Sequence, residues 1–324
     1  MKNWPICGHE KILQSLSEGF AAQNLASVYL FCGPTGVGKW RTAKTFAAFL
    51  QNDGEIPAGE IDKLNGEKIC VDKLWQKDAA EDFEEIARFS NFDQTARQKS
   101  KIRTDQITID DVRAISEKLW QKSDRRKIVA IRSAQRLNVA AANAILKILE
   151  EPPARTNFIF TVPAAENLPK TLVSRCRIFN FPKISRAKLS EFFAEKLQVF
   201  EKNTAEKILK FAAGRAEFVA EFLRDRAALG IWESFAVQIS NLPRLSNAEK
   251  LNFAAEMSEK TAEEIRIFWE IFFAENAEKI KTGKSSAVSN FTRGLDAVKN
   301  LSANGNCKLV FETLFLNLRA ENSV

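Results

Sequence analysis

Apolar and polar positions alternate with two different periods in the first half of the chain. Residues 9–24 repeat an apolar position every three or four residues, which predicts an amphipathic first helix. Shorter apolar runs have the length and composition of buried β-strands: Val28–Cys32, 69–73, Lys127–Ile131 and Asn157–Thr161. Helical patterns occur between them, at 41–50, 109–121 and 140–150. Strands that alternate with helices predict βαβ units and a parallel sheet.

The pattern changes after Pro182. From 186 to 324 almost all periodicity is helical. Gly214 and Gly230 predict helix breaks, and the Asn-Leu-Pro sequence at 241–243 predicts a linker. We therefore expect an α/β domain over 1–182, followed by two all-α domains over 183–240 and 241–324.

Composition narrows the functional classes. The formal net charge of the 324 residues is +7, which fits a polyanionic partner such as nucleic acid and an ordinary basic protein equally well. Five scattered cysteines and a single histidine, His9, argue against a disulfide framework, a zinc knuckle and histidine-dependent catalysis. Isolated thiols are typical of a reducing cytoplasm, which is the expected location. No apolar run is long enough to span a bilayer, so no membrane partner is expected.

A glycine-rich turn follows the first predicted strand. Residues 33–39 read Gly-Pro-Thr-Gly-Val-Gly-Lys, which matches seven positions of a phosphate-binding loop. The backbone at Gly33, Gly36 and Gly38 would curl round phosphate oxygens, and Lys39 would reach the terminal phosphates. The fold class predicted is therefore an α/β P-loop NTPase domain followed by helical domains.

The loop departs from the motif at its eighth position. Trp40 stands where a Ser or Thr hydroxyl would bind magnesium, and an indole has no oxygen to offer. We expect weak or absent ATP binding; the milder alternative is that ATP still binds through Lys39 and the backbone. The strand at 127–131 also lacks the carboxylates that such ATPases need, because Arg-Ser-Ala-Gln follows it. No functional magnesium site is expected, unless Asp110 and Asp111 mark the true acidic strand.

Three motifs carry a resemblance to a known family. Residues 140–153 read Ala-Ala-Ala-Asn-Ala-Ile-Leu-Lys-Ile-Leu-Glu-Glu-Pro-Pro, residues 172–176 read Leu-Val-Ser-Arg-Cys, and residues 6–9 read Ile-Cys-Gly-His. This combination resembles bacterial clamp-loader subunits of the gamma and delta-prime type, which are AAA+ proteins. The resemblance covers about 1–182. It implies an AAA+ module, a helical lid over 183–240 and a C-terminal oligomerisation collar over 241–324.

The resemblance also assigns roles to single residues. Arg175 matches the Ser-Arg-Cys arginine that reaches the ATP site of the adjacent subunit, where a guanidinium can neutralise charge on a transferred phosphoryl group. Without that motif, a surface salt bridge would be the default role. Thr161 matches a first sensor position, although a plain strand-end role fits equally. Arg215 lies where active relatives carry a second sensor arginine.

The departures favour the delta-prime type over the gamma type. Gamma-type subunits keep the magnesium-binding hydroxyl and the acidic pair, and many relatives insert a four-cysteine zinc module. Residues 51–70 contain only Cys70, so no zinc is expected. The implied partners are gamma/tau-type and delta subunits in a heteropentameric ring, the beta sliding clamp and primed DNA.

Two other functions stay open at this point. One is an active gamma-type ATPase with an unusual magnesium site. The other is a stand-alone DNA-binding adaptor that uses the basic clusters around Lys99–Arg103 and Arg125–Lys127. A solvated surface is the favoured role of those clusters.

Overall fold

A computed structural model describes residues 4–56, 68–71, 106–120, 126–303 and 305–320. The basic residues Lys99, Lys101, Arg103 and Arg125 lie outside the described residues, as does most of the predicted loop at 51–68. Within the described ranges, no helix is both long and apolar enough to cross a membrane.

The chain forms two compact units: Met1–Phe200 with Ala212–Val219, and Glu201–Phe211 with Ala220–Val324. The three-domain division at 182 and 240 stays a prediction. Each unit has its own secondary structure and core.

In the described ranges, the strands of the first unit are β1 (Val28–Cys32), β2 (Lys68–Val71), β3 (Lys127–Ile131), β4 (Thr156–Val162) and β5 (Arg177–Asn180). The helices described wholly within it are α1 (Glu10–Ala21), α2 (Lys39–Gln51), α3 (Ile109–Leu119), α4 (Val139–Glu150), α5 (Lys170–Val173), α6 (Arg186–Phe192) and α7 (Ala194–Leu197). Two further helices, α8 (Lys202–Ala212) and α9 (Ala216–Arg224), cross the division between the units.

The five strands form one parallel sheet in the order β2-β3-β4-β1-β5. β1, β3 and β4 are buried along their whole length, which is why they read as continuous apolar runs. Cys32 pairs with Val162, so the loop that follows β1 begins beside the end of β4. Ligands of open parallel sheets bind outside the carboxyl ends of such strands.

Two apolar cores cover the two faces of the sheet. On one face, α2 packs its Phe46 and Phe49 against Tyr29 and Phe31 of β1. On the other face, α3 and α4 pack against alternate strand residues, among them Leu30 and Phe160. Strand side chains point alternately to the two faces, so β1 contributes to both cores.

The second unit is all helical. Its helices are α10 (Arg226–Asn241), α11 (Asn247–Glu259), α12 (Ala262–Lys281), α13 (Ser285–Ser302) and α14 (Cys307–Leu316). Phe268 on α12 is fully buried, and its ring centroid lies 6.3 Å from that of Phe253 and 5.6 Å from that of Phe311. These phenylalanines therefore pack a helical core, as aromatic residues at helical spacing predict.

The structure confirms the predicted fold class, an α/β P-loop domain followed by helices. Two local predictions need correction. The short edge strand β5 had no prediction, because three of its four residues are exposed and it gives no apolar run. The predicted helix break at Gly230 is wrong: α10 continues through it, since Leu229 and Trp232 on the same helix are buried.

Candidate functional site

The glycine-rich loop connects β1 to α2 in a backbone shape that only glycine accommodates well. Gly33, Gly36 and Gly38 have φ angles of 148°, 82° and 102°. A Cβ atom on Gly33 would lie 2.2 Å from the Phe181 carbonyl oxygen. Its N–H donates to the carbonyls of Val162 and Pro163 at 3.2 and 3.0 Å. The loop is therefore tied to the end of β4 at its first residue.

Lys39, the predicted phosphate ligand, is 8% exposed and bends back onto its own loop. Its Nζ donates to the carbonyls of Gly33 at 2.6 Å and Pro34 at 2.7 Å. Burial lowers the pKa of Lys39 from 10.5 to about 8; the Arg132 guanidinium acts in the same direction, whereas Glu217 opposes it. Any phosphate would have to compete with two carbonyls for this ammonium group.

Trp40 is the eighth residue of the loop motif, and Arg132 is the first residue after β3. The indole of Trp40 is half-buried and packs against the core on the α2 face of the sheet. The guanidinium carbon of Arg132 lies over that indole at 6.0 Å from the ring centroid, within cation–π range. An indole and a guanidinium therefore lie side by side at the two motif positions where an active ATPase has a hydroxyl and a carboxylate. Sequence reasoning found the missing acid but did not anticipate this pair.

Asp110 and Asp111, the alternative acidic pair, lie in the first turn of α3. Asp111 accepts hydrogen bonds from the Thr108 backbone N–H at 2.7 Å and from its hydroxyl at 2.8 Å, and so caps α3. Asp110 pairs with Arg113 at 3.0 Å. Across the described part of the chain, no group of three or more His, Cys, Asp or Glu side chains has metal-binding geometry.

Thr161 is buried at the end of β4, beside the loop. Its hydroxyl accepts a hydrogen bond from the Ser133 backbone N–H at 3.1 Å. Ser133 adopts a left-handed backbone conformation, with φ of 55°. The hydroxyl thus joins the carboxyl ends of β3 and β4, and this bond supports the strand-end role that the sequence left open.

The turn between α8 and α9 packs on the phosphate loop within the first unit. The Glu217 N–H donates to the Gly36 carbonyl at 2.9 Å. A Cβ atom on Gly36 would lie 2.9 Å from the Phe218 ring. The Arg215 guanidinium stacks on that same ring at 4.0 Å, and its Nε donates to the Ala212 carbonyl. Arg215, the weak sensor candidate, is buried next to the loop.

His9, the residue that precedes α1, supports the glycine-rich loop. Its Nε2 lies 2.9 Å from the Val37 carbonyl oxygen, which can only accept, so Nε2 carries the proton. The ring meets Phe181 edge-on at 4.8 Å. Burial lowers the pKa of His9 below 6.5, which favours the neutral ring. The contact with Val37 gives His9, the single histidine of the sequence, a structural role at the loop.

Arg175 lies between α5 and β5 and is far less enclosed than Lys39. Its side chain is 40% exposed, and that of its partner Glu150 is 57% exposed. Nη1 donates to the Thr171 carbonyl at 2.9 Å, and Nη2 to the Glu150 carboxylate at 3.2 Å. Neither partner belongs to the phosphate loop. The structure brings Gly33, Gly36, Lys39 and Thr161 together, and it places Arg175 on the surface.

Comparisons with known proteins identify the family to which the chain belongs. A family model described as "DNA polymerase III, delta subunit" matches residues 8–185. The tau subunit of DNA polymerase III from Bacillus subtilis is 30% identical over 182 residues, which cover 56% of this chain and 29% of that protein. The delta' subunit from Haemophilus influenzae is 40% identical over 83 residues, which cover 25% of each chain.

A solved gamma-subunit-related protein of DNA polymerase III from Thermotoga maritima has a TM-score of 0.47 and 17% identity, covering 95% of this chain and 98% of that one. The chain spans between 28% and 53% of the length of three curated gamma and tau relatives that it matches. The family model, however, covers more than half of the chain itself. The chain therefore belongs to the DNA polymerase III delta-subunit family, whose members are clamp-loader proteins of the AAA+ class.

Proposed function

We propose that this chain is a clamp-loader subunit of the delta-prime type, which hydrolyses no ATP itself and lends Arg175 to the ATP site of a neighbouring subunit. The observation that carries this proposal is the Trp40–Arg132 pair. An indole stands at the motif position of the magnesium-binding hydroxyl, and the guanidinium of the first residue after β3 lies over it at 6.0 Å. ATP hydrolysis at a P-loop depends on that ion to neutralise the β- and γ-phosphates.

Three features of the chain's own loop support the inactive half of the proposal. Lys39 is held by two carbonyls of its own loop. The Thr161 hydroxyl oxygen accepts a hydrogen bond from the Ser133 N–H. The Phe218 ring lies against Gly36. Nucleotide binding through Lys39 would therefore first have to break its two hydrogen bonds to the loop carbonyls.

The state of Arg175 supports the other half. A guanidinium that serves a second subunit must be at the surface, and this one is 40% exposed. Its bond to Glu150 is an exposed ion pair, a class that contributes only about 0–1 kcal/mol. Moving the guanidinium onto a phosphate would therefore cost little. In the neighbour's dry site it would offset charge on the transferred phosphoryl group.

The partners follow from the same reading. We infer assembly with gamma/tau-type and delta subunits in a heteropentameric ring, which places a beta sliding clamp on primed DNA in the cytoplasm. Support comes from the names of relatives, which include tau, gamma and delta' subunits of DNA polymerase III.

An active gamma-type ATPase is the rival function, and the relatives give it some support. Several similar proteins are gamma or tau subunits, whereas the delta' match is short. The rival requires magnesium-dependent turnover by the purified chain alone. The delta-prime type predicts only background turnover under the same conditions, with or without primed DNA.

The decisive experiment mixes the chain with the gamma-type ATPase and delta subunit of its own cell and measures ATP turnover. Arg175→Ala should lower turnover at the served site by about 10³-fold, since a trans-acting arginine contributes on that order or more. Total turnover should fall by at least that site's share. Arg186→Ala, an exposed arginine at the start of α6, is the matched control and should leave the rate unchanged.

Assembly is checked separately by size-exclusion chromatography. A preserved complex with reduced turnover supports the trans role of Arg175. An unchanged rate in an intact complex removes that role. Substantial turnover by the chain alone, abolished by Lys39→Ala, would instead establish the gamma-type rival.

A further inference from the structure

The second unit contains a cavity of about 250 Å³, whose lining includes neither the phosphate loop nor Arg175. It lies where the end of α10, the following turn, the end of α12, the start of α13 and the segment after α14 meet. Its charged lining residues are Arg244, Lys279 and Arg319. Among the described residues, none of those that line the cavity is a carboxylate. Three cations around one cavity have the electrostatics of an anion site.

Arg319 is held in place by a buried side chain. Asn290 is 6% exposed, and its amide bonds the Arg319 backbone twice: Nδ2 donates to the carbonyl at 3.0 Å, and Oδ1 accepts from the N–H at 3.0 Å. This clamp fixes the chain after α14 against α13. The backbone position of Arg319 is therefore set before any ligand arrives, which reduces the entropy cost of binding.

The start of α13 adds further positive character. Ser286 and Ala287, in the first turn of this 18-residue helix, also line the cavity. The Ala287 N–H already donates to the Lys284 carbonyl at 3.2 Å, so the contribution of this helix end is its dipole, which favours an anion there. Lys279 is the weakest of the three cations for this purpose, because it also lies near Glu275 and lowers the pKa of that carboxyl against the effect of burial. Arg244 and Arg319 are the main candidates.

We propose that this cavity binds a phosphate group. Arg244 and Arg319 supply planar donor pairs that match phosphate oxygens, and the dipole at the start of α13 favours an anion. At about 250 Å³ the cavity is smaller than typical sites for whole organic ligands, which occupy about 300–1,000 Å³. The ligand is a single phosphate or diphosphate moiety, either free or part of a nucleic-acid backbone. This proposal does not depend on the function proposed for Arg175.

The test is calorimetric titration of the full chain with inorganic pyrophosphate, at low salt and with a metal chelator present. The double variant Arg244→Gln/Arg319→Gln should bind at least tenfold more weakly than the wild type. Lys299→Gln on α13 removes the same kind of charge outside the cavity and should stay within twofold. Arg244→Lys/Arg319→Lys keeps the charge but loses the planar donor pairs, so it should bind more weakly than the wild type and more tightly than the glutamine variant. Lys39→Ala separates any binding at the phosphate loop.

Each variant is first checked by thermal unfolding. If the double variant does not fold, Arg244→Gln alone serves, because Arg244 is exposed in the turn after α10 and should fold normally. Equal affinity of wild type and folded glutamine variant, or no pyrophosphate binding that survives Lys39→Ala, overturns the proposal.

A second arm distinguishes the two sources of phosphate. Binding of a labelled ten-nucleotide oligothymidylate is measured against salt concentration. Loss of one or two phosphate contacts should reduce the slope of log K against log salt by about 0.7 for each contact. A reduced slope in the glutamine variant assigns the cavity to a DNA backbone. An unchanged slope with lost pyrophosphate affinity assigns it to a small phosphorylated ligand.

Discussion

Two cations of this chain, Lys39 and Arg175, belong to regions that differ in almost every physical respect. Lys39 is buried and held by carbonyls of its own loop, and burial lowers its pKa to about 8. Arg175 is exposed, and its charged partner is the surface carboxylate of Glu150. Both residues match motif positions in the sequence. The difference teaches that a motif residue is available for chemistry only where the fold leaves it accessible.

The energetic cost of using each region follows from that contrast. Moving Lys39 to a phosphate would break two hydrogen bonds in a buried site, where each lost partner costs about 1–3 kcal/mol. Moving Arg175 would break one exposed ion pair, worth about 0–1 kcal/mol, and one exposed hydrogen bond to the Thr171 carbonyl. The loop is a packed structural element, whereas the Arg175 corner is a loosely held surface group. The following changes break or sharpen that comparison.

The largest effect is expected from Gly33→Ala. The new Cβ would lie 2.2 Å from the Phe181 carbonyl oxygen, at a φ of 148°, and we expect a loss of about 3 kcal/mol or more, or failure to fold. Gly230→Ala is the control, because open space surrounds that helical position and alanine should be neutral or stabilising by up to about 1 kcal/mol. Urea unfolding measures both. An alanine tolerated at 33 would refute the picture of a tightly packed loop.

The Lys39 ammonium should titrate near pH 8 rather than 10.5. Its ¹³Cε NMR signal, identified by its loss in Lys39→Met, gives the midpoint directly. Since the unfolded chain holds this proton up to about 10.5, the group should add stability as pH rises from about 8 to 10.5. The wild type should gain relative to Lys39→Met over that range. A midpoint near 10.5 would mean that the Lys39 side chain is exposed to solvent and would contradict its burial.

His9→Ala should cost about 1–3 kcal/mol, because the Val37 carbonyl loses its donor in a buried place. Lys11→Ala, an exposed change in the first turn of α1, is the control. The pKa of His9 is lowered, so its contribution is present above pH 6.5 and declines as pH falls below that value. The stability gap between wild type and His9→Ala should narrow accordingly. A gap that widens in acid would contradict the buried neutral ring.

The smallest effect is expected from Glu150→Gln, which removes the charged partner of Arg175. Both side chains are well exposed, so the thermal stability should change by less than about 0.5 kcal/mol. In the mixed complex, ATP turnover should stay within about threefold of wild type, far above that of Arg175→Ala. A loss as large as that of Arg175→Ala would make Glu150 essential for positioning the guanidinium.

Much of the fold could be predicted because its strands are buried on both faces. Continuous apolar runs gave β1, β3 and β4 within one residue of their ends, and the helix patterns between them were correct. β5 escaped because an exposed edge strand with Arg177 and Asn180 has no apolar run. The helix break predicted at Gly230 was wrong because the packing of α10 outweighs the low helix propensity of one glycine.

The functional site also has some features that the sequence predicted and others that only the structure shows. The loop glycines, Lys39, Trp40 and the missing acids are local features, and a short stretch of sequence states them. The bond from Ser133 to Thr161 joins the ends of β3 and β4, which are neighbours in the sheet. The stacking of Arg132 on Trp40 joins the end of β3 to α2, and in both cases the two residues are distant in sequence. The Glu150–Arg175 pair likewise joins residues from α4 and the segment after α5.

The sequence by itself therefore determined the parallel α/β domain, the glycine-rich loop and the residues at which that loop departs from its motif, since these follow from residue type and spacing. Only the tertiary structure decided that Lys39 turns inward, that the Arg132 guanidinium lies over the Trp40 indole and that Arg175 stays at the surface. The physical reason is that burial and partner choice are set by contacts between distant segments, which local periodicity does not encode.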